Sequence, residues 1–534
     1  MNPSSDAGPL TGTAAEPPTQ TQTQLAVAQI LTARAAALAG CTNARRRLAT
    51  LFGPTATTAS THPGTDLGGF VEYGLLAGQS SGIDDDAPAD GLVGGVGEFE
   101  GHPVVAAAYD RNVLGGTQSE RNQRKMSKLI YLAQTNRWPL VLFIEGEGAR
   151  RQDPRPVPPI VVYTRGRWDL YDGLAELSGW CPTIAIVTGP SLDGHAGAAL
   201  LCDLVIGVSG ATLGSEQGGH RHQRSVEELS ARGDVVLVVP SEHDAIDAAR
   251  RYLRFWFDDR PARVGQAKVG QASSDPTQSA SHARIDSIVP DNRRRAYDMR
   301  KLLEAFADEA SLLELGRAWA PSMITALARL GGRSIGIFAN QPLSPNAGAI
   351  DSVAADKAAH FVELCDAYGL PLVSFVDNPG YMVGPDAERG GIARHHARPL
   401  SALHHRQVPL YSVQVRKAYG LGPYAMSGYG SSRRVPELRL AWPTVESGGM
   451  SLEGAAYLVK RKEIQAAPNP QEARAIRDNY AEQMRDVASG VRAGRTYSFD
   501  DVVLPQETRA RIMTMLHRSP RRLAPTKLHP IDPR

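Results

Sequence analysis

Short runs of apolar residues alternate along the chain with longer stretches in which apolar residues recur at helical spacing. The order is clearest where the apolar run Ile335–Ala339 precedes a loop rich in Asn, Pro and Gly. Apolar residues at helical spacing follow over Asp351–Tyr368, and Gly369 ends that helix, as a C-terminal glycine commonly does. A second apolar run, Leu370–Val376, comes next. This order predicts a β-α-β unit with parallel strands and a crossover helix.

The second run leads into a rigid turn, Asp377–Gly384, and Gly390 and Gly391 precede a further helical stretch. Ligands in parallel α/β units lie beyond the carboxyl ends of the strands. The turn is therefore a candidate binding region.

The two halves of the chain share this plan. Each half has a strand that ends in a special turn, at Glu145–Arg150 and at Asp377–Gly384. Each then has a strand followed by a glycine-containing turn and a helix, at Gly189–Gly197 and at Gly420–Pro423. We interpret this as an internal structural duplication. The other predicted strands are Val93–Phe99, Val104–Tyr109, Pro139–Ile144, Thr183–Val187, Leu204–Val208, Leu410–Val415 and Leu438–Trp442, and the other predicted helices are Gln24–Arg47, Gln118–Thr135, Asp244–Phe257, Tyr297–Phe306, Leu452–Ile464 and the stretch from Asn479 onward.

Composition shifts predict four segments. Residues 1–66 form an N-terminal disordered segment with one helix, and residues 67–262 form a first α/β domain. Residues 263–287, rich in Gly, Gln and Ser, form a linker, and residues 288–534 form a second α/β domain.

Charge and cysteine content narrow the function. A net charge of +2 over 534 residues gives no reason to expect nucleic acid as a partner. No apolar run reaches the roughly 20 residues of a membrane helix, and a signal pattern is lacking, so we expect a cytoplasmic protein. The four cysteines are scattered, which argues against a zinc ribbon or a disulfide framework.

The sequence lacks the motifs of three common kinds of functional site: a serine nucleophile, a zinc site and a nucleotide-phosphate loop. The sequence contains no G-x-S-x-G elbow, H-E-x-x-H pair or Walker A loop. The pair His395-His396 and the run His220–His222 lack partners at metal-ligand spacing, so a surface role is expected for both and no metal is predicted.

The two glycine-containing turns before helices are better candidates. The start of a helix offers free N–H groups and a partial positive charge, and glycine lets a ligand approach closely. Such a turn can hold an oxyanion, for example a thioester enolate. The alternative is that the glycines serve only the turns and close packing.

A long stretch resembles a known family. AGAIDSVAADKAAHFVELCDAYGLPLVSFVDNPGYMVG followed by GGIARH resembles the carboxyltransferase (beta) subunit of biotin-dependent acyl-CoA carboxylases, of the propionyl-CoA and methylcrotonyl-CoA type. The resemblance covers roughly Gly74 to the C-terminus. It implies an α/β protein with two crotonase-like (ClpP/crotonase, β-β-α superhelix) domains in tandem, the acyl-CoA side in the first and the biotin side in the second.

The resemblance also implies a set of site residues. The amides of Gly194 and His195 would hold the thioester oxygen, and those of Leu421 and Gly422 the ureido oxygen of biotin. Pro423 has no N–H and cannot donate. The residues expected to bind acyl-CoA are Arg121, Arg124, Lys125 and Lys128 near the CoA phosphates, with Ala149, Asp193 and Tyr424, while Pro379, Gly380, Gly390, Gly391 and Gly420 are expected on the biotin side. A solvated basic face is the alternative for each of the four cations.

Partners follow from the same resemblance. The sequence has neither an A-M-K-M biotin-attachment site nor an ATP-grasp phosphate loop. Biotin carboxylase and the biotin carboxyl carrier are therefore expected on another chain, with carboxybiotin as cofactor and a coenzyme A thioester as substrate. The resemblance implies a homo-oligomer, a hexamer built as a trimer of dimers, with the active site between subunits.

Two departures from the family lie in the first half, at Ser215–His222 and at Glu145–Arg150, where relatives read S-G-G-A-R. Because of these departures, a crotonase-fold decarboxylase or hydratase/isomerase remains an alternative function, with Glu145 and Glu147 as the candidates for acid-base chemistry. A non-catalytic assembly subunit is also open. If the chain is a carboxyltransferase, the ring of Tyr424 predicts a larger or branched acyl group, and Asp193 a reshaped first oxyanion hole.

Overall fold

The computed structural model describes residues 22–53, 69–78, 87–150, 170–217, 219–257, 285–293, 295–428, 435–485, 487–519 and 526–532. Residues 1–21 and 54–66 of the predicted N-terminal segment, and residues 263–284 of the predicted linker, lie outside the described residues, so the disorder predicted for them is not tested.

The first half forms a sheet in the order β1-β2-β3-β4-β5-β6-β9. β2 and β3 form an antiparallel hairpin, and β3 to β6 run parallel. β7 pairs with the far end of β5, and β8 returns along β7. The strands are β1 (Val71–Glu72), β2 (Leu92–Phe99), β3 (His102–Tyr109), β4 (Leu140–Gly146), β5 (Thr183–Leu192), β6 (Leu204–Val208), β7 (Thr212–Gln217), β8 (His220–Ser225) and β9 (Leu237–Val239).

The second half repeats this topology in the order β10-β11-β12-β13-β14-β15-β17, with β16 beside the far end of β14. β11 and β12 form the antiparallel hairpin, and β12 to β15 run parallel. The strands are β10 (Leu313–Leu315), β11 (Met323–Leu330), β12 (Arg333–Asn340), β13 (Leu372–Asn378), β14 (Leu410–Tyr419), β15 (Leu438–Ala441), β16 (Glu446–Gly448) and β17 (Asp501–Val502).

Helices cover and connect the sheets. In the first half they are α1 (Gln22–Ala39), α2 (Thr42–Phe52), α3 (Glu120–Asn136), α4 (Leu170–Leu177), α5 (Gly194–Leu200), α6 (Val226–Arg232) and α7 (Glu242–Phe257). In the second half they are α8 (Ile285–Ile288), α9 (Met299–Phe306), α10 (Ser352–Ala367), α11 (Pro385–Arg389), α12 (Ile392–His405), α13 (Gly422–Ser427), α14 (Leu452–Val459), α15 (Arg461–Ala466), α16 (Pro470–Arg485), α17 (Gly490–Arg495) and α18 (Thr508–Arg518).

No single helix in the described ranges is long and apolar enough to span a membrane, and only α1 and α2 taken together, with an 80° bend between them, reach the necessary length and composition.

Even the irregularities of the two sheets correspond. The register between β4 and β5 shifts between Ile144 and Gly146, and that between β13 and β14 shifts between Val376 and Asn378. In each half the shift lies where the strand meets its special turn. The repeated strand order and the repeated bulge confirm the predicted duplication and the tandem α/β architecture.

The two halves pack directly against each other. The Trp256 ring of α7 meets the Tyr368 ring edge-on, with 4.7 Å between centroids. The Tyr368 hydroxyl donates to Asp203 Oδ2 (2.6 Å) and to the Cys181 oxygen (3.0 Å), both in the first half. This contact fixes one half relative to the other through a buried and hydrogen-bonded core.

Several predicted elements have different bounds. The single helix predicted over Gln24–Arg47 is two helices, because Cys41 has a left-handed backbone (φ 52°) and Gly40 packs so closely that a Cβ there would lie 2.3 Å from Pro88. The helix predicted over Leu452–Ile464 is broken at Lys460. The β10–β11 and β7–β8 pairings were not predicted.

Candidate active site

The first glycine-containing turn leads from β5 into α5. Asp193 adopts an unusual backbone conformation (φ 49°), which turns the chain so that Gly194 begins the helix. The first N–H groups of a helix have no intrahelical acceptor and can bind an anion. A Cβ at position 194 would lie 2.1 Å from Gln118 Oε1 and 2.8 Å from the Tyr171 hydroxyl, so a larger residue there would displace these two side chains. The N–H groups of Gly194 and His195 thus lie at a built helix start, as predicted.

The His195 side chain is completely buried beneath this turn. Its Nε2 pairs with the Gly116 oxygen at 2.8 Å, and its ring meets Tyr109 edge-on with 4.4 Å between centroids. Burial lowers the pKa of His195 to about 4, and the hydrogen bond with the Gly116 oxygen, which acts to raise this pKa, offsets only part of the effect. The ring is therefore neutral at physiological pH, and it acts as a spacer below the helix start.

The special turn after β4 lies beside α5. Gln118 forms an isolated parallel β-bridge with Ala149. In this bridge the Gln118 N–H donates to the Gly148 oxygen (2.7 Å), and the Arg150 N–H donates to the Gln118 oxygen (2.7 Å). The Arg150 guanidinium donates to Asp90 Oδ1 at 2.6 Å. Ala149 and the start of α5 at Gly194 are therefore brought together through Gln118, a residue that the sequence did not point to.

Asp193 faces the neighbouring strand. Its Oδ1 accepts from the Glu216 N–H (3.0 Å), and a Cβ at Gly148 would lie 2.9 Å from its Oδ2. The carboxylate therefore ties β7 to the turn.

The second glycine-containing turn leads from β14 into α13. Gly420 has φ 61°, and its N–H donates to the Gly448 oxygen at 2.9 Å. Leu421 follows with an exposed side chain, and Gly422 begins α13. A Cβ at position 422 would lie 2.1 Å from Asn378 Oδ1 and 3.0 Å from the Gly380 Cα. The structure thus brings together Gly380, Gly420, Leu421 and Gly422 at one helix start.

The remaining biotin-side predictions lie on the adjoining segment. Pro379 and Gly380 (φ 115°) follow β13, and the Gly380 N–H donates to Asn378 Oδ1 at 3.0 Å. Gly390 and Gly391 connect α11 to α12, and α12 packs against α13. Gly390 and Gly391 are therefore linked to the start of α13 through this helix contact.

A buried ion pair supports each special turn. Glu145, at the end of β4, accepts from Arg47 Nη1 (2.8 Å) and Nη2 (3.2 Å). Asp377, at the end of β13, accepts from Arg416 Nε (3.1 Å), the Tyr297 hydroxyl (2.9 Å) and the Lys417 N–H (3.1 Å). The sequence analysis did not predict Arg47 or Arg416 in these roles.

The four cations predicted on α3 divide into two groups. Arg121, Arg124 and Lys128 are exposed, with Arg124 paired to Glu120 (2.5 Å) and Lys128 placed 5.0 Å from the centre of the Tyr131 ring. Lys125 is buried, and its ammonium donates to the oxygens of Ala89 (3.0 Å) and Leu92. Burial lowers its pKa to about 8. In this structure the Lys125 amine binds protein carbonyls instead of facing solvent with the other three.

The histidines have structural partners. His395 Nδ1 pairs with Asp356 Oδ2 at 2.8 Å, and the His396 ring stacks on Tyr381. Across the described ranges, no three His, Cys, Asp or Glu side chains converge as metal ligands. Tyr424 lies half-buried on α13, and its N–H donates to the Leu421 oxygen at 3.1 Å.

Comparison with known proteins assigns this architecture to a family. The carboxyl transferase domain matches residues 65–530. This chain belongs to the carboxyl transferase family. The resemblance found in the sequence is thereby confirmed, as is the expectation of a biotin-dependent acyl-CoA carboxyltransferase at the level of the family.

Curated relatives in the carboxyl transferase family match over most of their length. The methylmalonyl-CoA carboxyltransferase 12S subunit of Propionibacterium freudenreichii is 31% identical over 92% of this chain and 91% of its own. The beta4 subunit of the biotin-dependent long-chain acyl-CoA carboxylase of Mycobacterium tuberculosis is 32% identical over 85% of this chain and 86% of its own.

Solved structures of carboxyl transferases share the fold. The transcarboxylase 12S hexamer with methylmalonyl-CoA bound matches with a TM-score of 0.78 at 28% identity, over 97% of this chain and 99% of its own. A single-chain, multi-domain long-chain acyl-CoA carboxylase matches with a TM-score of 0.77 at 32% identity over 93% of this chain. This chain corresponds to 49% of that longer protein. The predicted tandem fold is confirmed.

Proposed function

We propose that this chain is the carboxyltransferase component of an acyl-CoA carboxylase, which moves a carboxyl group from carboxybiotin to the α (or vinylogous γ) carbon of an acyl-CoA. The observation that carries the proposal is the pair of matched helix starts. Each lies after the equivalent strand of a duplicated half, and each begins with a glycine where a Cβ would meet a buried carboxamide at 2.1 Å. Two such sites suit a reaction with two oxyanions.

At the start of α5, the first of the two proposed oxyanion holes, the chain would stabilise the acyl group. The N–H groups of Gly194 and His195 would donate to the thioester oxygen as negative charge develops on it, and one such donor is typically worth a factor of about 100 to 1000 in rate. The neutral His195 ring holds the turn through Gly116. Enolate formation at the α carbon is the step that this arrangement favours.

At the start of α13, the second proposed oxyanion hole, the residues present fit the ureido group of biotin. The backbone at Leu421 and Gly422 is open to a ligand because glycines stand at 420 and 422, and a Cβ at 422 would fill the cradle against Asn378 and Gly380. Carboxybiotin on a separate carrier would supply the activated carboxyl group and a base for the α proton. The chain's own part is to hold the ureido oxygen, orient the ring and exclude water.

The carboxylates of the first half do not favour a hydratase. Glu145 is held by Arg47, and Glu147 pairs with Arg111 (3.3 Å) and Arg221 (3.0 Å). The hydrogen bond from Arg111 lowers the pKa of Glu147, so it remains ionised and cannot act as the acid of a hydratase at neutral pH.

Reconstitution tests the proposal. The chain is combined with a biotin carboxylase and a biotinylated carrier subunit, ATP, bicarbonate and a panel of acyl-CoAs, and carboxylated products are identified by mass spectrometry. We expect carboxylation that depends on the carrier, and no biotin on this chain in a streptavidin blot. Carrier-independent hydration or decarboxylation would support the crotonase-type alternative. Normal assembly without transfer to any acyl-CoA would support a non-catalytic assembly subunit.

We also propose that the chain assembles as a homo-oligomer, a hexamer arranged as a trimer of dimers. The transcarboxylase 12S protein was solved as a hexamer assembly, and this chain aligns with 99% of its length. Light scattering of the purified chain is expected to give the mass of six copies, and a fully active monomer would contradict it.

Acyl choice is proposed to favour a larger or branched group over acetyl, through the half-buried ring of Tyr424 beside the second hole. Apolar contact is worth about 25 cal/mol per Å² removed from water. Tyr424→Asp is expected to lower the kcat/KM ratio of long to short acyl-CoAs about tenfold. An unchanged ratio with lower overall activity would make Tyr424 part of the scaffold.

A further inference from the structure

Four buried polar groups lie together beneath the first hole. They are the Tyr109 hydroxyl, the side-chain nitrogens of Gln118 and Gln123, and His195 Nδ1, and none of them completes a hydrogen bond within the described part of the chain. All four side chains are less than 10% exposed. Buried polar groups are nearly always paired, so four orphans in one place require an explanation.

Contacts between these residues show that they form one cluster, which we call the polar floor. The carboxamides of Gln118 and Gln123 approach the Tyr109 hydroxyl closely enough to oppose the rise that burial causes in the pKa of Tyr109, but neither reaches hydrogen-bonding geometry. The Tyr109 ring lies against the His195 ring. Gln118 Oε1 and the Tyr171 hydroxyl lie 2.1 and 2.8 Å from the position that a Cβ on Gly194 would take. The polar floor therefore adjoins the residue that begins the first hole.

The second half provides an internal comparison. Asn378, at the end of β13, also places a carboxamide against the glycine that begins its helix, but its Nδ2 donates to Asn340 Oδ1 (3.1 Å) and its Oδ1 accepts from the Gly380 N–H (3.0 Å). The carboxamide at the second hole is thus bound on both sides by protein. The carboxamide that contacts Gly194 itself retains an unused donor, whereas in the second half the unused amide donor lies one residue further from the helix start, on Asn340.

The chemistry of the orphans selects one kind of ligand group. Gln118 and Gln123 offer N–H donors, and His195 offers an acceptor, since its Nε2 is committed to Gly116 and Nδ1 carries no proton in the neutral ring. A hydroxyl group can accept from the amides and donate to the imidazole at once. An alkyl group would leave every one of these atoms unpaired.

We propose that the polar floor makes this carboxyltransferase selective for an acyl-CoA whose acyl chain carries a hydroxyl group close to the thioester, with Gln118 as the specificity-determining residue. The inference rests on the proposed function, because it takes the helix start at Gly194 to be the site of the thioester. A site built to bind a substrate hydroxyl discriminates strongly against the analogue that lacks it.

Binding of two probes tests the inference. 3-Hydroxybutyryl-CoA and butyryl-CoA have the same chain length and differ only in the hydroxyl, and each is titrated calorimetrically into the purified chain. We expect the hydroxylated ester to bind at least about tenfold more tightly. Equal affinities would overturn the inference and indicate that the polar floor holds only a buried water.

Three variants sharpen the result. Gln118→Leu is expected to reduce the preference to about twofold or less, because it removes the donor at similar volume. Tyr109→Phe, a smaller change, is expected to weaken the same preference and serves if Gln118→Leu folds poorly. Gln134→Leu makes the same substitution on α3 and should keep the wild-type preference. An unchanged preference in both Gln118→Leu and Tyr109→Phe would refute the assignment.

Turnover in the reconstituted complex separates this inference from the proposed function. A preference in binding without carboxylation of either ester would refute the proposed reaction and leave the polar floor as a hydroxyl-binding site. Carboxylation of both esters with equal kcat/KM and equal affinity would support the reaction and refute the selectivity.

Discussion

At the scale of single residues, the glycine that begins α13 is fixed by its surroundings. A Cβ at Gly422 would meet Asn378, whose carboxamide is hydrogen-bonded on both sides, and the Gly380 backbone. Gly422→Ala is therefore expected to displace the helix start and lower kcat about 100- to 1000-fold, as the loss of an oxyanion donor does. The measurement is carboxyl transfer at saturating acyl-CoA in the reconstituted complex.

Gly449 supplies the matched control for this prediction. A Cβ at Gly449 has nothing within 4 Å, and its backbone is not left-handed. Gly449→Ala should retain activity within about twofold of wild type, since it removes neither contact nor donor. Comparable activity of Gly422→Ala and Gly449→Ala would show that the start of α13 takes no part in transfer.

His195 predicts an acid dependence of stability. Its folded pKa of about 4 lies below the unfolded value of 6.5, so the unfolded chain binds more protons between those values. The stabilisation is present above pH 6.5 and is lost as the pH falls toward 4, by about 2 kcal/mol at pH 5. His195→Gln keeps a donor for Gly116 and should remove this part of the pH dependence in urea unfolding at pH 7.5 and pH 5. Identical pH dependence in the two proteins would mean that His195 is not held neutral.

At the scale of elements, α3 combines an exposed basic face with a buried lysine. Arg121, Arg124 and Lys128 face outward, and we expect them to attract the phosphates of coenzyme A. Replacing all three with Gln should raise KM for the acyl-CoA about tenfold with little change in kcat, because the contacts are the same in substrate and transition state. The effect should weaken in high salt and with a dephospho-CoA thioester, which has one phosphate fewer.

Lys125 lies on the same helix but stabilises the fold, whereas the three exposed cations are expected to attract phosphate. Its ammonium caps the oxygens of Ala89 and Leu92, so Lys125→Met leaves two buried acceptors unpaired and should cost about 1–3 kcal/mol in the free energy of unfolding. A KM effect of Lys125→Met as large as that of the triple variant, without loss of stability, would contradict this division.

Local patterns predict the strands and helix starts well, because apolar runs and glycines act within a few residues. The turn before α5 and the turn before α13 could be placed from sequence for that reason. Partners distant along the chain could not be predicted: Arg47 reaches Glu145 across 98 residues, and Gln118 reaches Gly194 only through the folded sheet. The break between α1 and α2 likewise depends on Pro88, which follows by 48 residues.

At the scale of the whole molecule, duplication places one glycine-led helix start, the proposed oxyanion hole, in each half of the chain. The direct packing of α7 against the second half fixes the halves relative to each other, through Trp256 and Tyr368. If each helix start binds one of the two groups, the acyl group and the ureido ring of biotin must meet between the two helix starts. We expect the meeting to occur between the first half of one copy and the second half of its neighbour, as the family resemblance implies.

This arrangement makes a prediction that a single-chain site does not. Gly194→Val disables the first hole, and Gly422→Val disables the second, since either side chain would meet a carboxamide oxygen near 2.1 Å. If the site lies between copies related by a two-fold axis, a mixed pair has one site with both holes damaged and one with both intact. Random mixing should then restore about a quarter of wild-type transfer, because half of all pairs are mixed and half of their sites are intact.

The experiment unfolds and refolds the two inactive variants together, with each variant refolded alone as the control. Mass photometry checks that the mixture has the assembly state of the wild type. Recovery near one quarter, absent from either control, places the site between copies. Correct assembly without recovery would place both holes of each working site in the same chain, since no exchange of partners could then pair an intact first hole with an intact second one.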